Sequence, residues 1–212
     1  MGWRWPAADE KAQDFWESFY ERRDQVWTGR PNLALVAEIA EVPPGNALDL
    51  GCGEGGDAVW LAERGWRVTA IDISATAIAR GAAAASARGL AERINWQCED
   101  LETWSPSGHY DLVNAEYLHS PVEFDRARVL RAAASAVKRG GTLLIVGHAG
   151  PASWQEPQPQ VHLPTAAEVL GSLALTPGEW TVERMDEFER EQPSPDGTPG
   201  TRRDNVLRLR RG

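Results

Sequence analysis

The chain has 212 residues, 42% of them apolar and 25% charged, which is enough for one domain with a full-sized core. Its formal net charge of -9 argues against a nucleic-acid grip, which needs a clustered basic surface. Two cysteines, Cys52 and Cys98, form neither a disulfide framework nor a zinc spacing, so a reducing cytoplasm is the expected location. No apolar segment follows Met1 and no run is long enough to span a bilayer, so a soluble, unexported protein is expected. The ten tryptophans follow no repeat and read as separate core and rim positions.

Residues 1–8 read as frayed. Phe15, Phe19 and Val26, with Trp16 and Tyr20 interleaved, predict an amphipathic helix through about Arg23. A turn-rich piece containing Trp27 and Arg30 leads to a second helix, Leu33 to about Glu41, stopped by Pro43-Pro44-Gly45. Ala47 to Leu50 is then a short buried strand. It enters Gly51-Cys52-Gly53-Glu54-Gly55-Gly56, and a helical period starts at Ala58. Glycine brings no Cβ and accepts positive φ, so such a turn lets a ligand approach the backbone at a helix N-terminus. Gly51, Gly53 and Gly56 also satisfy the dinucleotide fingerprint, with Asp72 at the separation of a ribose-binding acid. The glycines alone therefore do not choose a cofactor.

Trp66 to Asp72 is the second strand, and Ser74 caps a long alanine-rich helix that Gly89 ends. Ile94 to Cys98 is the third, with Glu99-Asp100-Leu101 at its end. Tyr110 to His119 reads as the fourth strand, a helix of about Glu123 to Lys138 is ended by Gly140-Gly141, and Thr142 to Gly147 is the fifth strand, with His148 just beyond. Gly150 to Pro164, with Trp154 inside it, reads as an active-site loop, and Thr165 to Leu173 as a short helix. Trp180 to Met185 and Asn205 to Arg210 alternate with period two and suit an antiparallel pair with a long connection. The alternation of strands and helices predicts a doubly wound α/β fold, whose ligands bind outside the carboxyl ends of the strands.

Asp49, two residues ahead of the first glycine, gives Asp-Leu-Gly-Cys-Gly-Glu-Gly. This segment resembles the first motif of the class I S-adenosylmethionine-dependent methyltransferases, in particular the compact small-molecule type that includes tellurite-resistance and thiopurine methyltransferases. The resemblance implies a single domain over 1–212 with a Rossmann-like, mostly parallel seven-stranded sheet, a C-terminal antiparallel strand and a helical N-terminal lid over 1–42. It implies methyl transfer from S-adenosylmethionine to a small-molecule acceptor, leaving S-adenosylhomocysteine, with no metal, nucleic acid or membrane partner. Cofactor contacts are implied for Asp49, Gly51, Cys52, Gly53, Glu54 and Gly55 at the turn, for Asp72 and Ile73 at the ribose, for Asp100 and Leu101 at the adenine, and for Asn114 and Ala115. Tyr20, Trp27, Arg30, Tyr117 and Trp154 would line the acceptor site, and His119 or His148 would serve as base if the acceptor loses a proton. Two other readings stay open: an NAD-dependent oxidoreductase, and an S-adenosylmethionine-binding protein without catalysis. Acceptor identity and oligomeric state are not legible.

Overall fold

The computed structural model describes residues 6–7, 9–155 and 162–212. Most of the frayed segment expected at 1–8 and the middle of the 150–164 loop lie outside these residues.

The chain opens with α1 (Ala12–Glu21), which buries Phe15 and Tyr20. Asn32 caps α2 (Leu33–Ile39) by accepting the Ala34 N–H. The strand β1 (Asn46–Leu50) is buried from Ala47 onward, runs through the glycine turn into α3 (Gly56–Glu63), and is followed by β2 (Arg67–Asp72). Ser74 caps α4 (Ala75–Ala87) as expected, accepting the Ala77 N–H. Then come β3 (Ile94–Cys98) and β4 (Tyr110–Glu116).

After β4 the boundaries depart from the sequence reading. Tyr117 takes φ 49°, which breaks the ladder, so β4 ends three residues before His119. Asp125 rather than Glu123 caps the next helix, α5 (Arg126–Ala136). That helix passes into β5 (Val137–Ala152) with no loop. Gly140 and Gly141 thus lie inside a strand instead of stopping a helix; Val137 is already extended and pairs with Tyr110, and the register then shifts before Leu112 meets Thr142. A capping box of Thr165 and Glu168 starts α6 (Ala166–Ser172). The final hairpin, β6 (Trp180–Glu191) and β7 (Thr201–Arg211), is longer than its apolar alternation suggests. The far end of β6 is mostly charged and exposed, and backbone pairing from Glu187↔Asn205 to Glu191↔Thr201 carries the ladder on.

The seven strands form one sheet in the order β3-β2-β1-β4-β5-β7-β6. The first five run parallel, and β7 lies antiparallel between β5 and β6. One face packs Leu48, Val113 and Leu143 against Leu130 of α5 and Val169 of α6. The other packs Ala47, Leu112 and Leu144 against Leu35 of α2 and Leu61 of α3. Burial of each such leucine contributes about 1.5–3 kcal/mol, so the sheet is a rigid base for what its carboxyl edge carries.

Candidate active site

The glycine turn is packed too closely for any side chain. Gly51, Gly53 and Gly55 have φ of 70°, 54° and 79°. A Cβ on Gly53 would stand 2.9 Å from the Tyr20 hydroxyl and 3.2 Å from Trp27 Nε1, and one on Gly55 would stand 2.3 Å from the Trp96 ring. The turn's amides, however, are turned inward. Gly51 and Cys52 N–H donate to Ile71 O at 2.8 and 3.0 Å, and Gly55 N–H donates to Cys52 O at 2.9 Å. Gly53 N–H donates to Asp72 Oδ2 at 2.8 Å. These four amides are therefore not a cradle for phosphate.

The unpartnered polar atoms beside the turn are acceptors instead. Asp49 Oδ1 accepts from Asn114 Nδ2 at 3.1 Å, while Asp49 Oδ2, Asn114 Oδ1 and both carboxyl oxygens of Glu116 are buried without partners. Burial, then the charge of Asp57, pushes the Asp49 and Glu116 carboxyls well above the ordinary range, and burial raises Asp57 to about 6. Buried acceptors and reluctant acids at one strand edge are relieved by a cation with N–H donors. S-Adenosylmethionine carries such an end, an ammonium group beside a sulfonium, and fits this donor-seeking site. The pyrophosphate of NAD would need the amides that the turn has already used.

The remaining expected cofactor positions divide. Asp72 is buried at the end of β2, with Oδ1 accepting the Ser74 N–H at 2.9 Å as well as Oδ2 holding Gly53. Ile73 and Cys52 are half-buried, and Asp100 is half-exposed and folds back on the Glu102 N–H at 2.9 Å. Leu101 does not face a ring: it is buried in the core with Trp104, and so is Ala115. Glu54 also departs from its expected role. Its carboxylate accepts the N–H groups of Val26 and Trp27 at 3.0 and 2.8 Å and pairs with Arg80 at 2.9 Å. Glu54 is thus a clasp for the N-terminal segment.

That segment closes on the glycine turn. Trp27 Nε1 donates to the Tyr20 hydroxyl at 3.1 Å, Arg30 presents its carbonyl, not its guanidinium, to Gly56, and Asn32 N–H donates to Asp57 Oδ1 at 2.6 Å. Glu17 pins α1 to the start of α4 through the Ser74 hydroxyl at 2.6 Å and the Thr76 side chain and backbone. Among the described residues no hydrogen bond, ion pair or ring contact joins Tyr20, Trp27 or Arg30 to Tyr117, His119 or His148. By direct contact these residues fall into two groups, one over the turn and one across β4, β5 and β7. Trp154 belongs to neither, since its Nε1 donates to Gln192 O at 3.1 Å and its ring packs on Gly200 at the hairpin connection.

The second group is centred on Asp204, which is fully buried. Its Oδ1 lies 2.8 Å from His148 Nδ1, and its Oδ2 accepts the Tyr117 hydroxyl at 2.6 Å and the Arg190 Nε–H. Burial alone would raise this carboxyl, but the three donors outweigh burial and hold it below its usual range. Burial lowers the His148 imidazole, against the opposing pull of Asp204, so the ring is neutral near pH 7. A carboxylate on Nδ1 fixes the proton there and leaves Nε2 with its lone pair outward, the arrangement of a general base. His119 is differently placed. Its Nε2 accepts the His148 backbone N–H at 3.2 Å, and burial, then Arg126, pushes it down to about 3. The His119 lone pair is thus engaged by a backbone amide, while that of His148 is not. Glu116 lies in the Asn114 to His119 segment expected to face the ligands, but Arg190 and Asp204 carried no sequence signal of their own; only the sheet register brings them to this edge.

Fold and site together are similar to those of class I S-adenosylmethionine-dependent methyltransferases. Residues 47–141 match the methyltransferase domain family. The chain is 29% identical to a trans-aconitate 2-methyltransferase of Streptomyces avermitilis, over 88% of this chain and 78% of that one. It is 34% identical to a probable thiol methyltransferase 2 of Arabidopsis thaliana, over 49% of this chain and 47% of that protein, so it spans about half of that relative's length. A solved structure described as concerning conversion of a disulfide bond into a thioacetal group during echinomycin biosynthesis superposes with a TM-score of 0.71 at 27% identity, covering 94% of this chain and 92% of that one. These likenesses support an S-adenosylmethionine-dependent methyltransferase of class I type, with S-adenosylmethionine as its cofactor.

Proposed function

We propose that this protein, acting as a single domain, methylates a small-molecule acceptor with His148 as the general base. The observation that supports this reading is the His148–Asp204 pair at 2.8 Å, on the same carboxyl edge of the sheet as the cation-seeking oxygens of Asp49, Asn114 and Glu116. Those oxygens would hold the methionine end of S-adenosylmethionine, with Asp72 at the ribose and Ile73 and Asp100 toward the adenine. The bound cofactor supplies an electrophilic methyl carbon and a neutral thioether leaving group.

What the chain itself contributes is placement and proton transfer. His148 Nε2 takes the proton that the acceptor loses, and Asp204 keeps Nδ1–H oriented and stabilises the imidazolium that forms. Tyr117 and Arg190 hold Asp204 in place, and Tyr20 with Trp27 keeps water from the turn. Relatives named for trans-aconitate and for a thiol support an acceptor of small size. The net charge of -9 supports one that is not nucleic acid, and no described helix is long and apolar enough to cross a membrane. Calorimetric titration with S-adenosylhomocysteine and with NAD tests the cofactor, and an acceptor screen read by released S-adenosylhomocysteine tests the reaction. Saturable NAD binding without a response to S-adenosylhomocysteine overturns the proposal.

A further inference from the structure

The acceptor side of the site has more cationic charge than it uses. Arg190 is neutralised by Asp204, but among the described residues neither Arg126 nor Arg202 has a carboxylate within salt-bridge distance. Each is anchored by Nε alone, Arg126 to Leu118 O at 2.9 Å and Arg202 to Gly150 O at 3.2 Å. The Gly150 carbonyl is free for this because the β5–β7 register breaks between His148 and Ala152, as strands often do beside active sites. Arg126 Nη2 is buried with no partner at all. A guanidinium so fixed keeps its outer donors for a ligand, in a fork that matches a carboxylate.

The surroundings agree in sign. Burial lowers Arg126 to about 10, and it lowers Arg202 too, against the pull of Asp204, as expected of charges short of water and without a direct counter-ion. His119, which feels Arg126, His148 and Arg202, is kept neutral. Neither acid of the cluster pairs with them directly, since Asp204 gives its oxygens to three other donors and burial raises the Glu116 carboxyl well above its ordinary range. In a chain of net charge -9, an uncompensated pair of arginines is a local exception.

We propose that Arg126 and Arg202 form a subsite for a carboxylate of the acceptor, which is therefore an organic acid whose second, proton-bearing group (hydroxyl, thiol or amine) faces His148. The inference rests on the methyltransferase reading and goes beyond it by assigning the chemical class of the acceptor. A carboxylate already ionised has no proton to lose, so a base beside the reacting atom implies a different nucleophile. The proton of that group goes to His148 Nε2, its lone pair forms the new bond to carbon, the methyl–sulfur pair stays on sulfur, and the anchoring carboxylate is unchanged.

The test is calorimetry on the full chain loaded with S-adenosylhomocysteine, in physiological salt, with mercaptosuccinate and tricarballylate as probes and trimethyl tricarballylate as the neutral control. At least one acid should bind saturably and the ester should not. Arg126→Gln and Arg202→Gln should each weaken that binding about ten-fold or more, the loss of one charge-assisted contact. Arg126→Lys should recover part of it, and S-adenosylhomocysteine affinity should be unchanged in every variant, which also reports folding. Absence of acid binding to the loaded wild-type chain, or equal binding by wild type and both glutamine variants, overturns the subsite. If S-adenosylhomocysteine itself fails to bind, the methyltransferase reading falls instead, and the same titrations on the unloaded chain judge the subsite.

Discussion

His148 and Asp204 face each other directly across the antiparallel β5–β7 ladder, one the registered partner of the other, with Nδ1 and Oδ1 2.8 Å apart. The contact is fixed by backbone pairing rather than by a loop, so its geometry is as rigid as the sheet. A base held this way contributes about 10²–10⁴-fold to a proton transfer. His148→Gln should therefore lower kcat by about that range with KM for S-adenosylmethionine unchanged, and should abolish the acidic limb of the kcat profile. Steady-state rates from pH 5 to 9 check this. A variant that retains wild-type kcat would remove His148 from the reaction.

Cofactor binding should release protons. The cationic end of S-adenosylmethionine favours the ionised forms of Asp49, Asp57 and Glu116, all held above their usual range in the free protein. Affinity should accordingly rise as pH increases through about 6, where Asp57 titrates. Calorimetry in buffers of different ionisation enthalpy should show net proton release. Proton uptake would contradict the arrangement.

Stability of the free chain should carry the same signature with opposite sense. A carboxyl raised from 3.8 to about 6 stabilises the fold below the unfolded value, and that contribution is lost as pH rises through 6; at 1.36 kcal/mol per unit the loss is about 3 kcal/mol. Asp57→Asn keeps the acceptor for the Asn32 N–H and removes the titration. Urea unfolding between pH 4 and 7 should show a flatter profile for the variant than for wild type, and parallel profiles would refute the assignment.

Glu54→Gln should loosen the N-terminal segment while leaving the sheet intact, because it weakens the clasp on Val26, Trp27 and Arg80 together. A hydrogen bond to a charged group is worth roughly 1.5–3 kcal/mol. Amide exchange at Val26 and Trp27 should quicken about ten-fold or more, with β1 and β4 unaffected. Unchanged exchange would mean the aromatic packing of Phe19, Tyr20 and Trp27 holds the segment alone.

Asp72→Ala should cost fold stability as well as cofactor affinity. Both its oxygens are engaged by the backbone, one at Gly53 and one at Ser74. Losing two charge-assisted bonds, each worth roughly 1.5–3 kcal/mol, at a buried position should lower the unfolding free energy by about 3–6 kcal/mol, less the relief of the buried carboxylate's desolvation. Denaturant melts of the free protein check this independently of any ligand.

What the sequence disclosed followed from how local the cause is. Asp49, the glycine turn and Ser74 are legible because strand, turn and cap chemistry act over a few neighbouring residues. The partner of His148 lies 56 residues away, and only the register of β7 against β5 finds it. Glu54 sits inside the motif, and its neighbours suggest a ligand, but its side chain reaches back to residues 26 and 27. Trp154 was read by residue type alone, and type does not reveal that Gln192 waits for its indole N–H. The far half of β6 escaped because charged residues crowd it and leave only Phe188 to mark an apolar face.

The final hairpin holds Arg190, Arg202 and Asp204, while Asp49, Asp72, Asn114 and Glu116 all lie on β1, β2 and β4. The two sets share no strand, and β5 lies between β4 and β7. Changes in the last thirty-odd codons can therefore reshape one wall of the acceptor site, facing His148 and Arg126, while the strands that hold the methyl donor stay untouched, so descendants of such a chain could diversify in what they modify before they diverge in how.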